Sequence, residues 1–350
     1  MARDPLARAY SDAGVDLDRG DAATARLAPL ARATHGPEVP AGLGLFGGLY
    51  DASALKAMDR PLLVSSLDGV GTKTRLAARR GPTALRGIGR DLVNHCVNDV
   101  AVQGARPLFF LDYLAFARLD PDAVSELARG MTEACRATGV ALVGGETAEM
   151  PAVYRADEYD VAGCMVGVVE AEALIDGRAI EAGDVLLGLP STGLHTNGYS
   201  LALRLLPALD EGMTAHERAA LLDDLLAPHR CYLDEIGRWR AAAPVRGLAH
   251  ITGGGIPGNL ARIIPAGLVA RVDAASWPAP PLFQRLRRAG AIGADEMYRV
   301  FNMGIGLIAV VPAAAIAAAR AAVPEAWTIG RVVERPAGDD AGRVSMEGIA

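Results

Sequence analysis

The stretch Ser65-Ser66-Leu67-Asp68-Gly69-Val70-Gly71-Thr72-Lys73 follows an apolar run, Pro61-Leu62-Leu63-Val64, and presents an acid, two alternate glycines, a hydroxyl and a lysine. Glycines let backbone N–H groups face a ligand with no Cβ in the way, and such amide nests bind anions. A carboxylate such as Asp68 suits a divalent cation, and a lysine such as Lys73 meets a phosphate as a point charge. The combination reads as a metal-bridged phosphate site; a tight turn capped by a surface lysine is the other reading of this stretch alone. It is not a Walker A loop, which needs Gly directly before the Lys, where Thr72 stands.

Further chemistry-bearing residues follow at meaningful spacing. A helix is expected from Arg90 to about Gln103, ending at Gly104, with Asp91, His95 and Asn98/Asp99 on one face. That stripe is either a solvated face or a metal or substrate surface. Val140 to Val143 reads as a buried strand entering Gly144-Gly145-Glu146-Thr147-Ala148-Glu149-Met150-Pro151. Acids delivered from three strand or helix ends in one domain can converge on a single cation. Gly42-Leu43-Gly44-Leu45-Phe46-Gly47-Gly48 is dense in glycine and fits a loop that closes over a ligand, or a flexible connector. In the second half, Ser191 to Ser200 gathers hydroxyls, amides and His195 ahead of a helix. It reads as a seat for a polar or phosphorylated ligand at the helix N-terminus, or as an N-cap cluster with an incidental histidine. Thr252-Gly253-Gly254-Gly255, between a strand at Leu248–Ile251 and a helix at Ile256–Ile264, again has anion-site geometry.

The elements that must position these residues alternate between strand and helix. Strands are expected near 107–114, 159–169, 185–189 and 325–334, and helices near 21–34, 122–138 and 210–239. The tail past Pro336 is expected to be loose. At 350 residues the chain exceeds one ordinary core and suggests two domains. The expected division is an arm with its glycine-rich loop over 1–60, an N-terminal domain over 61–170, a C-terminal domain over 171–335, and a tail over 336–350. A composition 51% hydrophobic and 22% charged is that of a folded globular protein. A net charge of −6 argues against broad nucleic-acid binding, which rests on a basic footprint. Cys96, Cys135, Cys164 and Cys231 show no zinc spacing and read as reduced core thiols of a cytoplasmic protein. The start lacks the apolar core of a signal peptide, and glycines and Pro312 break the least polar region, 303–319, so no membrane association is expected.

Several motifs together resemble one family. They are Tyr-x-Asp-Ala-Gly-Val-Asp at 10–16, Gly-Leu-Gly-x-Phe-Gly at 42–47, Asp-Gly-Val-Gly-Thr-Lys at 68–73, Val-Asn-Asp-Val at 97–100 and Pro-Leu-Phe-Phe-Leu-Asp-Tyr at 107–113. Gly-Gly-Glu-Thr-Ala-Glu-Met-Pro at 144–151, Gly-Leu-His-Thr-Asn-Gly-Tyr-Ser at 193–200, His-Ile-Thr-Gly-Gly-Gly at 250–255 and Glu-Met-Tyr-Arg-x-Phe-Asn-Met-Gly at 296–304 complete the set. From about residue 10 to 335 the chain resembles phosphoribosylformylglycinamidine cyclo-ligase, also called aminoimidazole ribonucleotide synthetase, of de novo purine synthesis.

The resemblance implies a two-domain α/β (α+β) fold. Its N-terminal mixed sheet would form a shared barrel in a homodimer, and its C-terminal domain would be an α/β sandwich, with the site in the cleft between the domains. It implies conversion of formylglycinamidine ribonucleotide and ATP to aminoimidazole ribonucleotide, ADP and phosphate. Carried over, Asp68, Asp99 and Glu146 become candidate Mg²⁺ ligands, and Asp99, His195 and Lys73 candidate catalytic residues. Gly42, Gly44, Gly47, Asp68, Gly69, Gly71, Thr72 and Lys73 would bind ATP; His195, Asn197, Thr252, Gly253 and Gly254 would bind the ribonucleotide. The family often places a lysine two residues after the first-helix arginine, whereas here Leu27 and Ala28 follow Arg26, so Arg26 or Arg32 substitutes or the contact is dispensable. The alternatives are another ATP-using member of the same superfamily, of the small-molecule kinase type, and a non-catalytic nucleotide-binding subunit. Against other members, residues 42–48 hold no reactive cysteine of the selenophosphate synthetase kind, and the chain ends Met346-Glu347-Gly348-Ile349-Ala350 and not in the cysteine of the hydrogenase-maturation protein.

Overall fold

The computed structural model describes residues 5–336 and 342–349. The chain divides into two compact units: residues up to Val100 with Ala105–Ala171, and Ala101–Gly104 with the residues from Glu172 on.

In the first unit, β1 (Pro61–Gly69), β2 (Arg106–Phe116), β3 (Ala141–Glu149) and β4 (Tyr159–Glu170) form one mixed sheet in the order β1-β4-β2-β3. β4 runs antiparallel to β1 and β2, while β2 and β3 are parallel. Parallel neighbours need a crossover. Among helices α1 (Pro5–Asp12), α2 (Leu17–Arg32), α3 (Lys73–Arg80), α4 (Pro82–Ala101) and α5 (Pro121–Thr138), α5 supplies it. Its limits follow from local chemistry: Asp120 caps the start, Pro121 occupies the first turn, and Gly139 closes it in the left-handed conformation at φ 67°. α4 starts at Pro82, a full two turns before the expected Arg90. It lies directly on α5 through glycine: a Cβ on Gly89 would overlap the Leu127 carbonyl oxygen, and one on Gly130 would overlap that of Arg86.

Strand alternation divides the sheet into two faces. Val64, Phe110, Leu114, Val161 and Met165 are buried on one. On the other, Leu63 and Leu67 of β1 are 67% and 74% exposed, and Tyr113 of β2 is exposed as well.

In the second unit, β5 (Val185–Pro190), β6 (Gly247–His250), β7 (Leu268–Asp273), β8 (Ile305–Val311), β9 (Trp327–Glu334) and β10 (Val344–Glu347) form a sheet in the order β10-β7-β9-β5-β8-β6. All pairings are antiparallel except β10 with β7. Every residue of the apolar strand β8 is buried, so the sheet is covered on both faces. The helices are α6 (Tyr199–Leu209), α7 (Ala215–Leu225), α8 (Leu233–Ala242), α9 (Gly255–Leu260), α10 (Pro281–Gly290), α11 (Ala294–Val300) and α12 (Ile316–Ala322). Leu187, Leu189, Tyr232, Trp239, Leu248 and Leu307 share one core, where Trp239 Nε1 donates to the Ala319 carbonyl at 3.1 Å.

Two expectations are corrected here. The segment 210–239, expected to be helical, is two helices separated by 226–232, a break that contains Pro228. The tail, expected to be loose, contains β10, which adds to the sheet edge beside β7. No helix among the described residues is long and apolar enough to cross a membrane.

Candidate active site

Asp68 leaves the end of β1, and α4 brings His95 and Asp99 to it. His95 Nε2 lies 3.0 Å from Asp68 Oδ2 and 3.7 Å from Asp99 Oδ2. Ser66, two residues before Asp68 and so on the same sheet face, donates to Asp99 Oδ2 at 2.8 Å. The two carboxylates are partly accessible while the imidazole between them is buried. Burial works against a charged His95, but the Asp68 hydrogen bond and the charges of Asp99, Asp68 and Asp91 outweigh it and hold its pKa above the usual imidazole value. Burial likewise pushes Asp68 up, and the His95 hydrogen bond and charge, with the Gly69 amide, bring it below the ordinary carboxylate range. The turn Gly69–Thr72 follows at once, with Gly71 at φ 58° and its carbonyl accepting both the amide and the hydroxyl of Thr74. Backbone amides therefore start α3 beside the acid pair, an arrangement suited to phosphate and a hard cation.

Lys73 does not point to that turn's surface. Its side chain is wholly buried, with Nζ 2.7 Å from Asp91 Oδ2, itself wholly buried. The polar stripe of α4 is thus an inward face: Asp91, His95 and Asn98 are all buried. Glu146 is not brought to the acid pair either. The pairing runs Asp68–Gly163–Asp112–Gly145 across the sheet, which puts β3 three strand spacings from β1, roughly 14 Å. The three acids grouped in the sequence as ligands of one cation are therefore, within this unit, a pair and an outlier.

Glu146 instead lines a cavity of about 590 Å³ with Gly42–Gly48, Leu27, Ala31 and Asp112. Gly42, Gly44 and Gly47 all belong to its wall, and Phe46 at the loop's tip is fully exposed. Burial, with Glu146 adding its charge, pushes the Asp112 carboxyl up to about 7 against the lowering effect of its own backbone amide. Of the two candidates for the missing cation, Arg26 is engaged with Asp122. Arg32 reaches the loop, with Nε 3.6 Å from where a Gly42 Cβ would lie.

In the second unit the loops 191–198 and 252–255 are neighbours: a Cβ on Gly253 would sit 3.2 Å from Asn197 Oδ1. Asn197, Thr252, Gly253 and Gly254 reach the surface, and Asn259 shapes the turn by donating to the carbonyls of Gly253 and Gly255 at 3.2 and 2.9 Å. His195 is wholly buried below its loop, at φ 59°, accepting the Thr192 amide on Nε2 at 3.2 Å. The 296–304 segment backs both loops. Asn302 Nδ2 donates to the Gly193 carbonyl at 2.8 Å, the Phe301 ring fills the place of a side chain at Gly198, and the Tyr298 backbone does so at Gly255.

Residues 50–169 match the family described as AIR synthase related protein, N-terminal domain, and residues 181–340 its C-terminal domain. A phosphoribosylformylglycinamidine cyclo-ligase of Anaeromyxobacter sp. (strain Fw109-5) is 48% identical over 332 residues, which is 92% of this chain and 95% of that protein. This chain belongs to the phosphoribosylformylglycinamidine cyclo-ligase family. Among solved structures, thiamine-monophosphate kinase from Stenotrophomonas maltophilia K279a aligns with a TM-score of 0.66 at 20% identity, over 93% of this chain and 97% of that one. Hydrogenase maturation protein HypE in complex with ATP aligns at 0.62 and 20%, over 91% and 88%. At that identity these two share the fold with the cyclo-ligase family.

Placing the family motifs on the fold separates those that face outward from those that hold the frame. The 42–47, 68–73 and 193–200 motifs each supply surface-reaching groups, whereas the 296–304 motif is scaffolding. Glu149 of the 144–151 motif is also scaffolding, accepting the amides of Asp16 and Leu119 at 2.6 and 2.9 Å and so tying down the 10–16 motif. Sequence reasoning missed Ser66, Asp112 and His229. Ser66 was legible as the i−2 neighbour of Asp68 on a strand; His229 was hidden by reading 210–239 as helix.

Proposed function

We propose that this chain is an ATP-dependent cyclo-ligase that closes the imidazole ring of aminoimidazole ribonucleotide from formylglycinamidine ribonucleotide, releasing ADP and phosphate. An amide oxygen is a poor leaving group, so attack by the amidine nitrogen on the formyl carbon stalls. Transfer of the γ-phosphoryl to that oxygen breaks the β–γ bridge and makes an iminophosphate. The amidine nitrogen then forms the new C–N bond, the C–O bond breaks with phosphate as leaving group, and the nitrogen loses its proton. Such a transfer needs positioning and charge neutralisation more than covalent help.

Within this reading Asp68 and Asp99 would hold the Mg²⁺ of Mg·ATP: both are hard oxygen donors, both are partly accessible, and both lie within 4 Å of His95 Nε2. The ion would supply neutralisation of the phosphate charge. The Gly69–Thr72 turn faces the phosphates, and the 42–48 loop with Arg32 covers the nucleotide. Asn197 and the Thr252–Gly254 turn take the ribonucleotide, while His195 acts from beneath its loop. Lys73 serves by fixing α3 against α4. Glu146 is assigned to the nucleotide cavity, whose wall it shares with Asp112. The exposed apolar sheet face, Leu63, Leu67 and Tyr113, fits a second copy of the chain, giving a homodimer. A soluble ATP-using enzyme of nucleotide synthesis works in the cytoplasm.

The observation that carries the reading is the meeting of Asp68 and Asp99 around His95 beside a glycine turn. The test is ADP release from Mg·ATP with and without formylglycinamidine ribonucleotide, with the aminoimidazole product assayed in parallel. Equal amounts of ADP and aminoimidazole ribonucleotide, dependent on both substrates, are expected. ADP without the aimed-for imidazole would transfer the chain to the kinase-type reading, and ATP binding without turnover to the regulatory one.

A further inference from the structure

His195, His229 and His250 are buried together in the second unit. His229 comes from the break between α7 and α8, while His195 belongs to the 191–198 loop and His250 ends β6 just before the 252–255 turn. The His229 ring stacks on His195 with centroids 4.0 Å apart and planes 21° from parallel. Its Nε2 lies 2.9 Å from His250 Nε2, and its Nδ1 lies 3.4 Å from Thr196 Oγ1. One buried ring therefore touches the 191–198 loop and the strand residue that leads into the 252–255 turn.

Three histidine nitrogens within 4.8 Å of one another also satisfy the spacing of a metal site. The ring planes decide against it. A ring-nitrogen lone pair lies in the imidazole plane, and two stacked, nearly parallel rings 4.0 Å apart share no in-plane point for an ion. His195 Nε2 already accepts the Thr192 amide, so the neutral ring carries its proton on Nδ1. What remains is a hydrogen-bond relay. Two Nε2 atoms 2.9 Å apart share one proton, so whichever ring donates sets the tautomer of the other.

We propose that His229 is a positioning residue: it fixes the orientation and tautomer of His250, supports the His195 ring by stacking, and holds the 191–198 loop and the 252–255 turn in register for the ribonucleotide. The inference rests on the proposed assignment of those loops to the substrate. A displacement of about 1 Å in a reacting group costs on the order of 10²-fold in rate, so a loosened relay is read in turnover.

The test uses full-length His229→Ala, His229→Gln and His229→Asn with ¹⁵N-labelled histidine. With six histidines in the chain, the ring signals are assignable by comparison with His250→Gln. In His229→Ala, kcat should fall roughly 10- to 100-fold with the KM for ATP unchanged, and the His250 nitrogen signals should shift toward a mixed tautomer. Gln carries an amide nitrogen near the Nε2 position and should restore both; Asn, reaching only toward Thr196, should not, and it stands in for Ala if that variant fails to fold. Unchanged His250 signals together with kcat within about twofold of wild type would overturn the proposal, since a relay contact is worth more than that. One zinc per chain in the purified protein, lost in His229→Ala, would replace it with the metal reading. If the wild type makes no aminoimidazole ribonucleotide, the functional reading fails, while the His250 signals still decide the relay.

Discussion

Lys73→Met should destabilise the first unit far more than a surface charge deletion would. Lys73 Nζ and Asp91 Oδ2 are 2.7 Å apart with both side chains wholly shielded from water. Burial drives the Lys73 pKa down, and Asp91 by charge and hydrogen bond opposes it. Deleting one partner of such a pair leaves the other charge buried alone and costs about 3–5 kcal/mol. For a unit of this size each kcal/mol is worth roughly 2–4 °C of melting temperature, so a fall of about 10 °C is expected by scanning calorimetry. Lys73→Met with Asp91→Leu removes both charges and should recover most of that loss, because apolar replacement of a whole buried pair is often neutral or stabilising. A single-variant loss below about 1 kcal/mol, or a double variant no better than the single, would refute the buried-pair account. So would an ATP affinity that collapses in Lys73→Met while the melting temperature holds, because that pattern belongs to a lysine on phosphate.

Asp99→Asn should lower kcat by about 10²–10³ in the ADP-release assay while the melting temperature stays near wild type, since it removes charge from a partly accessible carboxylate; a loss under threefold would remove Asp99 from the metal site. Asp112, raised to about 7 against an ordinary 3.8, keeps its proton when folded after the unfolded chain has lost it. Stability should therefore decline between about pH 4 and 7, at up to about 1.4 kcal/mol per pH unit from this group, and level off above. Asp112→Asn should remove that slope, so urea titrations at pH 5 and 8 should show the variant gaining on wild type at pH 8; a parallel dependence in both would count against it. In sedimentation equilibrium the wild type should run as the proposed dimer of 36.4 kDa chains and Leu63→Glu with Leu67→Glu as monomer; a monomeric wild type, or a variant of dimer mass, would exclude this sheet face as a dimer contact.

The features legible in the sequence were those set locally. The α5 helix shows a proline start and a glycine stop on the page, and both strand-to-glycine turns around Asp68 and Thr252 appear as expected because short-range chemistry builds them. Side-chain direction was not legible. Lys73 reads as a phosphate-binding lysine, or a surface lysine capping a glycine turn, yet it follows the helical twist inward, because α4 offers Asp91 at the right height to meet it. Glu146 looked equivalent to Asp68, since both belong to strand-to-glycine passages; strand order and register, both long-range properties, separate them. The break that delivers His229 was signalled by Pro228, which removes an amide donor and ends helices before it. β10 escaped notice because a short edge strand takes its identity from the neighbour it joins.

The direct contact of α4 and α5 at Gly89 and Gly130 has a consequence for how the acid pair tolerates evolutionary drift. With no side chain between the helices, their separation is a main-chain thickness, a ruler that no rotamer can lengthen or shorten. Exchanges of one apolar residue for another elsewhere in the core leave that ruler untouched, so His95 and Asp99 keep their height above the sheet while their surroundings vary. A single methyl group at either glycine would push α4 outward as a rigid rod and carry His95 and Asp99 away from Asp68 together. The most economical way to silence this centre thus lies roughly two to three turns along α4 from it, at a position with no chemistry of its own.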